Sequence, residues 1–183
     1  MESHPDRPAA LIAMSTGEEC AAAVHRGLRK AGVDFAVVLP DSVVRPVDRL
    51  LDDDPGVQRY VCSREDEGLA MAVGAYLGGR VPVVMMEGSG VGFCGLVLAR
   101  AQLQRTPVLM LVGHTRGLGE RFDYHGATRL VAEGVLGGLG IAQHVLDDRD
   151  TAGELVGHAV TTLLGQKTTV ALLIPPYLFE DGA

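Results

Sequence analysis

Three clusters in this sequence have residue types and spacings that chemistry uses. Ser63-Arg64-Glu65-Asp66-Glu67-Gly68 places three carboxylates in a row after an apolar run and before a stretch of Ala and Gly. Acids in the first turn of a helix each stabilise it by roughly 0.3–1 kcal/mol, so plain capping accounts for the run as well as catalysis does. The small residues behind them, Ala70, Ala72, Gly74 and Ala75, let a ligand or another backbone come close. The second cluster is Glu87-Gly88-Ser89-Gly90-Val91-Gly92-Phe93-Cys94-Gly95, in which Gly90, Gly92 and Gly95 fit G-x-G-x-x-G. That dinucleotide reading competes with a simple tight turn. The run follows the third strand rather than the first, and the next strand ends in Gly113-His114 with no acid for a ribose. The third cluster, His114, Arg116, Arg121, Tyr124, His125 and Arg129, concentrates cations in an acidic chain. A solvated loop is the ordinary explanation. The chemical one is an anion site, since arginine forks match carboxylate, phosphonate or sulfonate, and Arg64 and Arg45 stand on neighbouring loops.

These residues need elements to hold them. Thr16–Lys30 reads as a helix capped by Ser15 or Thr16 and stopped by Gly32. Apolar runs predict strands at Phe35–Leu39, Val57–Cys62, Val81–Met86, Pro107–Val112, Ile141–Leu146 and Thr168–Ile174. Helices are predicted from Asp41 or Ser42 to Leu51, over Glu65–Leu77, from the glycine turn to Leu103, over Thr128–Leu139 and over Asp150–Leu164. Alternating elements with solid aliphatic strands predict an α/β fold: a doubly wound parallel sheet with helices on both faces. Ligands of such sheets bind at the carboxyl ends of the strands, where the loops begin at Pro40, Ser63, Glu87 and Gly113. Residues 1–14 read as a tail and 15–183 as one domain.

Composition narrows the function. A net charge of −7 with no basic stripe argues against nucleic acid. No apolar stretch approaches the about 20 residues of a membrane span, and nothing reads as a signal peptide. Cys20, Cys62 and Cys94 are odd in number and scattered, which fits buried thiols in a reducing cytosol and no structural zinc. Hydrophobic residues make up 47 % with few aromatics, so the core is aliphatic, and either the sheet is buried on both faces or apolar surface goes to a partner, or both.

Arg-acid-acid-Glu-Gly after a strand, followed by Gly74-Ala75-Tyr76-Leu77-Gly78-Gly79, resembles the pyrimidine-binding domain of thiamine-diphosphate-dependent 2-oxoacid decarboxylases. The nearest likeness is to the α subunit of sulfopyruvate decarboxylase and the matching domain of phosphonopyruvate decarboxylase. Val83–Gly90, Gly117–Gly126 and Leu139-Gly140-Ile141 extend it over nearly the whole chain from Thr16. The resemblance implies that a carboxylate at the helix start contacts N1′ of the aminopyrimidine and so promotes loss of the thiazolium C2 proton. Counting back from Gly74-Ala75-Tyr76 puts that role first on Asp66, where the family has Glu, then on Glu65, then on Glu67. It also implies cofactor contacts at Ser89, Gly90 and Tyr76, and a site for the anionic substrate built from Pro40, Asp41, Ser42, Arg64, His114, Arg121 and His125. Family members hold Mg²⁺ and the diphosphate with Gly-Asp-Gly and a later Asn; Gly-Asp-Gly is absent here. The metal ligands are therefore expected on a β-type partner subunit, in an α2β2 or larger assembly. The alternatives are a dinucleotide-binding module and a non-catalytic interaction subunit.

Overall fold

The computed structural model describes residues 16–115 and 122–181. The proposed tail, with Arg116 and Arg121 of the cationic cluster, lies outside the described residues. Six strands alternate with six helices: α1 (Gly17–Lys30), β1 (Phe35–Val38), α2 (Arg45–Asp52), β2 (Gln58–Val61), α3 (Glu65–Leu77), β3 (Pro82–Glu87), α4 (Gly95–Leu103), β4 (Leu109–Gly113), α5 (Tyr124–Gly138), β5 (Ala142–Val145), α6 (Ala152–Gln166) and β6 (Val170–Ile174). All pairings are parallel, in the order β2-β1-β3-β4-β6-β5. The doubly wound parallel sheet anticipated above is therefore observed.

Side-chain alternation splits the core into two layers. Ala36, Val38, Val83, Met85, Leu109 and Leu111 pack towards α1, α2 and α6. Val37, Val84, Met86, Met110 and Val112 pack towards α3, α4 and α5. Each fully buried Leu or Met in these layers stabilises the fold by about 1.5–3 kcal/mol. The outermost strands differ from expectation. β2 (Gln-Arg-Tyr-Val) and β5 (Ala-Gln-His-Val) are largely exposed because each has a neighbour on one side only.

The chain ends of the elements follow local chemistry. Thr16 caps α1 in a reciprocal box: its Oγ1 accepts from the Glu19 N–H at 3.2 Å, and the Glu19 carboxylate accepts from the Thr16 N–H at 2.8 Å. Two expectations shift. The glycine run forms a 3-10 helix, Gly88–Cys94, rather than a bare turn, and α5 starts at Tyr124, one turn before Thr128. No helix of the described residues is long and apolar enough to cross a membrane.

α1 and α6 meet at a glycine crossing. A Cβ on Gly27 would lie 2.3 Å from the Gly153 carbonyl oxygen, and one on Gly153 would lie 2.6 Å from the Ala23 carbonyl oxygen. Both obstacles are backbone and cannot swing away. Gly27→Ala is expected to destabilise the chain by about 1–3 kcal/mol. Urea unfolding checks this, and an unchanged midpoint would show that the crossing is loose.

Candidate active site at the ends of the central strands

β1 is flanked by β2 on one side and β3 on the other, so the chain changes direction in the sheet at β1. In open parallel sheets the loops at such a point diverge and leave a crevice at the strand carboxyl ends. Four segments border it: Pro40–Ser42 after β1, the start of α3 after β2, Gly88–Cys94 after β3, and His114–Thr115 after β4.

The α3 start separates its three acids by direction. Glu65, Gly68, Leu69 and Ala72 recur at helical spacing, and the last three are buried, so Glu65 begins the inward stripe. Its side chain lies across Gly90: a Cβ there would sit 2.2 Å from Glu65 Cγ and 2.8 Å from its carboxyl carbon. Glycine at 90 is thus what leaves room for the carboxylate. Below, the Cys94 thiol donates to the Gly90 carbonyl at 3.5 Å. Burial, with Glu65 and Asp66 adding to it, pushes that thiol up to about 12, so it stays protonated. Asp66, part-buried like Glu65, is clamped by Arg64, Nε to Oδ1 at 3.0 Å and Nη2 to Oδ2 at 2.8 Å. The Arg64 fork holds the Asp66 carboxyl below the usual range. Glu67 is exposed, and its backbone N–H donates to Asp66.

The β3 end carries Glu87. It accepts from the Ser89 hydroxyl at 2.6 Å and from the Thr128 hydroxyl of α5 at 3.3 Å. The β1 loop carries Asp41, whose Oδ1 accepts the Val43 and Val44 N–H groups at 3.0 and 3.1 Å. It therefore caps the turn that leads into α2, while Pro40 and Ser42 beside it are exposed. Asp41 Oδ1 also lies 2.6 Å from where a Gly113 Cβ would be, so glycine at the β4 end admits it. Burial pushes the Asp41 carboxyl above its ordinary value, against the two N–H groups, and the Glu87 charge adds to the rise.

A folded pKa above the unfolded one means that the native chain keeps a proton the unfolded chain has released. Stability then falls as pH climbs through that window, which starts at about pH 4. Asp41→Asn keeps a carbonyl acceptor for both N–H groups and has no charge to bury. The variant is expected to lose less stability than the parent between about pH 4 and pH 7. Urea midpoints across that range test it, and parallel curves for the two proteins would refute it.

The cationic cluster is not a set of free positive charges in the described residues. His114, 6 % exposed, contacts Glu133 Oε1 at 3.1 Å, and Arg129 donates to the same oxygen at 2.7 Å. Burial raises the Glu133 pKa, but Arg129 and His114 outweigh it and hold the carboxyl below its usual range. His125 stacks edge-on against Tyr124 at 4.4 Å. Arg121 lies outside the described residues. Glu133 was not singled out in the sequence. Its i,i+4 spacing from Arg129 was legible, but its pairing with His114 across the loop was not. Thr128 escaped notice because it sits far from Glu87 along the chain.

Tyr76 is not brought to this group. It lies ten residues along α3 from Asp66, about 15 Å by helical rise, and its hydroxyl accepts from Lys167 Nζ at 2.7 Å. Gly74-Ala75-Tyr76 thus marks the helix without lying in the crevice. Among the described residues, no group of three or more His, Cys, Asp or Glu side chains is placed to hold a metal ion.

This crevice offers a half-buried carboxylate held against the Gly90 backbone, a partner for a nitrogen at the edge of a flat heterocycle. The comparisons with known proteins agree with that class. The thiamine pyrophosphate enzyme N-terminal TPP-binding domain model matches residues 18–129, and the chain belongs to that family. Similar curated proteins include sulfopyruvate decarboxylase subunit alpha from Methanothermobacter thermautotrophicus, 37 % identical over 54 % of this chain and 60 % of the relative. The subunit of the same name from Methanococcus maripaludis is 31 % identical over 55 % of this chain and 61 % of the relative. The chain thus matches about three fifths of the length of these relatives. Among solved structures, 2-oxoglutarate:ferredoxin oxidoreductase from Magnetococcus marinus superposes with a TM-score of 0.72 at 18 % identity, over 96 % of this chain and 31 % of that one. That likeness shows the shared fold.

Proposed function

We propose that this chain is the α-type, pyrimidine-binding subunit of a heteromeric thiamine-diphosphate-dependent decarboxylase. Its substrate is a short 2-oxoacid with an anionic tail, sulfopyruvate or phosphonopyruvate, and its products are CO2 and the corresponding aldehyde. The observation that carries the reading is the Glu65 carboxylate lying across Gly90 at the mouth of α3, in a chain of the TPP-binding family. The names of the curated relatives support the decarboxylase and its two-subunit form.

When bound, thiamine diphosphate supplies an acidic thiazolium carbon and an electron sink for decarboxylation. The residues here fit its pyrimidine end. Ser89, Gly90 and a carboxylate at the start of α3 would hold that ring, the carboxylate by a hydrogen bond to N1′. Position in the resemblance favours Asp66 for that role. The geometry favours Glu65, because it lies against Gly90 with no ion pair among the described residues, whereas the Asp66 carboxylate is paired with Arg64. Glu67, exposed, ranks last. Pro40, Asp41, Ser42 and His114 border the same crevice, and Arg64, Arg121 and His125 are the cationic candidates for the substrate tail. Mg²⁺ and the diphosphate fall to the partner, in an α2β2 or larger complex. Three free, buried cysteines suit a cytoplasmic setting.

Reconstitution tests this. The chain, a subunit carrying Gly-Asp-Gly and a later Asn, thiamine diphosphate and Mg²⁺ should together release CO2 from sulfopyruvate or phosphonopyruvate. The chain alone should release none. Turnover by the chain alone, or silence of the complex with both acids, would overturn the reading.

A further inference from the structure

On the outside of the α1–α6 layer lies a groove of about 740 Å³, ample for a small metabolite. Arg26 and Lys30 of α1 stand on one wall, and Glu154, Gly157, His158 and Thr161 of α6 on the other. Gly27 and Gly153, at the helix crossing, also line it. The α3 carboxylates belong to the opposite layer of the sheet, so the groove is separate from the crevice.

The lining selects a ligand by what it lacks and what it leaves unpaired. No large apolar side chain borders the groove, and none on α1, α2 or α6 of the described residues is exposed. Such a face has no apolar anchor for another protein. Its charge points to an anion. Arg26 and Lys30 are one turn apart, a like-charge i,i+4 pair that weakens a helix. The other helical neighbours of Arg26 are Ala22, Ala23 and Arg29, so α1 offers it no acid. Arg29 pairs with Asp54 at 3.0 Å, whereas neither Arg26 nor Lys30 has an ion pair among the described residues. Glu154, the one acid in the lining, lies 3.7 Å from His158 of its own helix.

Gly157 supplies room. Glycine inside a helix weakens it relative to alanine. Gly27 and Gly153 have a packing reason, the carbonyls of Gly153 and Ala23. Gly157 has none within the chain, since a Cβ there would meet nothing within 4 Å.

We propose that the α1–α6 groove binds a small aliphatic phosphate ester, its oxyanion held by Arg26 and Lys30 and its body lying over Gly157. Two adjacent cations match the charge of about −2 on a phosphate monoester. The arginine fork grips oxygens two at a time. The volume far exceeds an inorganic ion, which calls for an organic body. No Phe, Tyr or Trp lines the walls, so a nucleobase has no such ring to stack on. The Thr161 hydroxyl donates to the Gly157 carbonyl at 3.0 Å and can still accept from a ligand hydroxyl. The site stands whether or not the chain is a decarboxylase subunit.

Calorimetric titration of the full chain with glycerol 3-phosphate, inorganic phosphate, AMP and glycerol tests this. Glycerol 3-phosphate should bind with a Kd of about 1 mM or tighter, at least about tenfold tighter than inorganic phosphate. Glycerol should give no binding heat. Arg26→Gln combined with Lys30→Gln should weaken the ester about tenfold or more. Gly157→Leu, which fills the groove and keeps both cations, should do the same. Arg100→Gln on α4 should leave binding unchanged. Arg26, Lys30 and Arg100 are exposed and position 157 faces open space, so the variants should melt close to the parent. Inorganic phosphate binding as tightly as the ester, with Gly157→Leu indifferent, would show only surface charge attracting any anion and overturn the site. Tighter binding of AMP than of the ester would overturn the aliphatic body. No binding of the ester at about 10 mM would overturn the proposal outright.

Discussion

Glu65→Gln in the assembled enzyme is expected to lower kcat by about 100- to 10,000-fold, the span over which a positioned acid–base group acts. Asp66→Asn is expected to lower it less than about tenfold, below the span of a positioned acid–base group. The amide of Gln keeps the length and packing of the Glu65 side chain over Gly90, so the loss reports the missing charge rather than a missing contact. Asp66 differs in kind. Its charge is spent on the Arg64 fork, and a carboxyl held below its usual range is a weaker proton acceptor than a free one. Steady-state decarboxylation, together with calorimetric titration of thiamine diphosphate into each complex, measures both. If Asp66→Asn is the crippling change, Arg64 must release Asp66 on assembly, and the position marked by family resemblance carries the chemistry.

Gly90→Ala is the second large effect. The new methyl would occupy space now held by Glu65 Cγ at 2.2 Å. The atom that must give way belongs to a flexible side chain, so the fold survives and the carboxylate moves. Turnover is expected to fall about 10- to 100-fold, as misplacement of a catalytic group by about 1 Å does. The melting temperature should move by no more than a few degrees. Coupling supplies the sharper check: in a Glu65→Gln background, Gly90→Ala should cost little more, because the group it displaces is already disabled. Additive losses would mean that Gly90 acts on something other than Glu65.

The layered sheet was legible because β1, β3, β4 and β6 are buried on both faces and read as unbroken aliphatic runs. The boundaries of β2 and β5 were harder, since edge strands mix polar residues with apolar ones. Glycine spacing located the segment at Gly88–Cys94 but not its 3-10 geometry, which depends on packing against α3 and α5. In the crevice, residue types were readable and directions were not. Three consecutive acids look equivalent as letters, and only the burial of Gly68, Leu69 and Ala72 tells which one turns inward. The resemblance implies a cofactor contact at Tyr76, yet the length of α3 sets Tyr76 apart from the carboxylates at its start. Arg129 and His114 read as cations in the sequence, and Glu133, which no local pattern links to His114, pairs with both.

The placement of β6 bears on how the chain is made. It follows β5 in the chain, yet it lies between β4 and β5, and its Ile174 carbonyl accepts the N–H of His114 at 2.8 Å. While the ribosome is still extending the chain, β4 presents an open, wholly apolar edge with nothing to pair with, and β5 has no neighbour at all. Nascent chains stalled before about residue 170 should therefore be sticky and in need of a chaperone. The wall of the crevice at His114 closes only when β6 slots in.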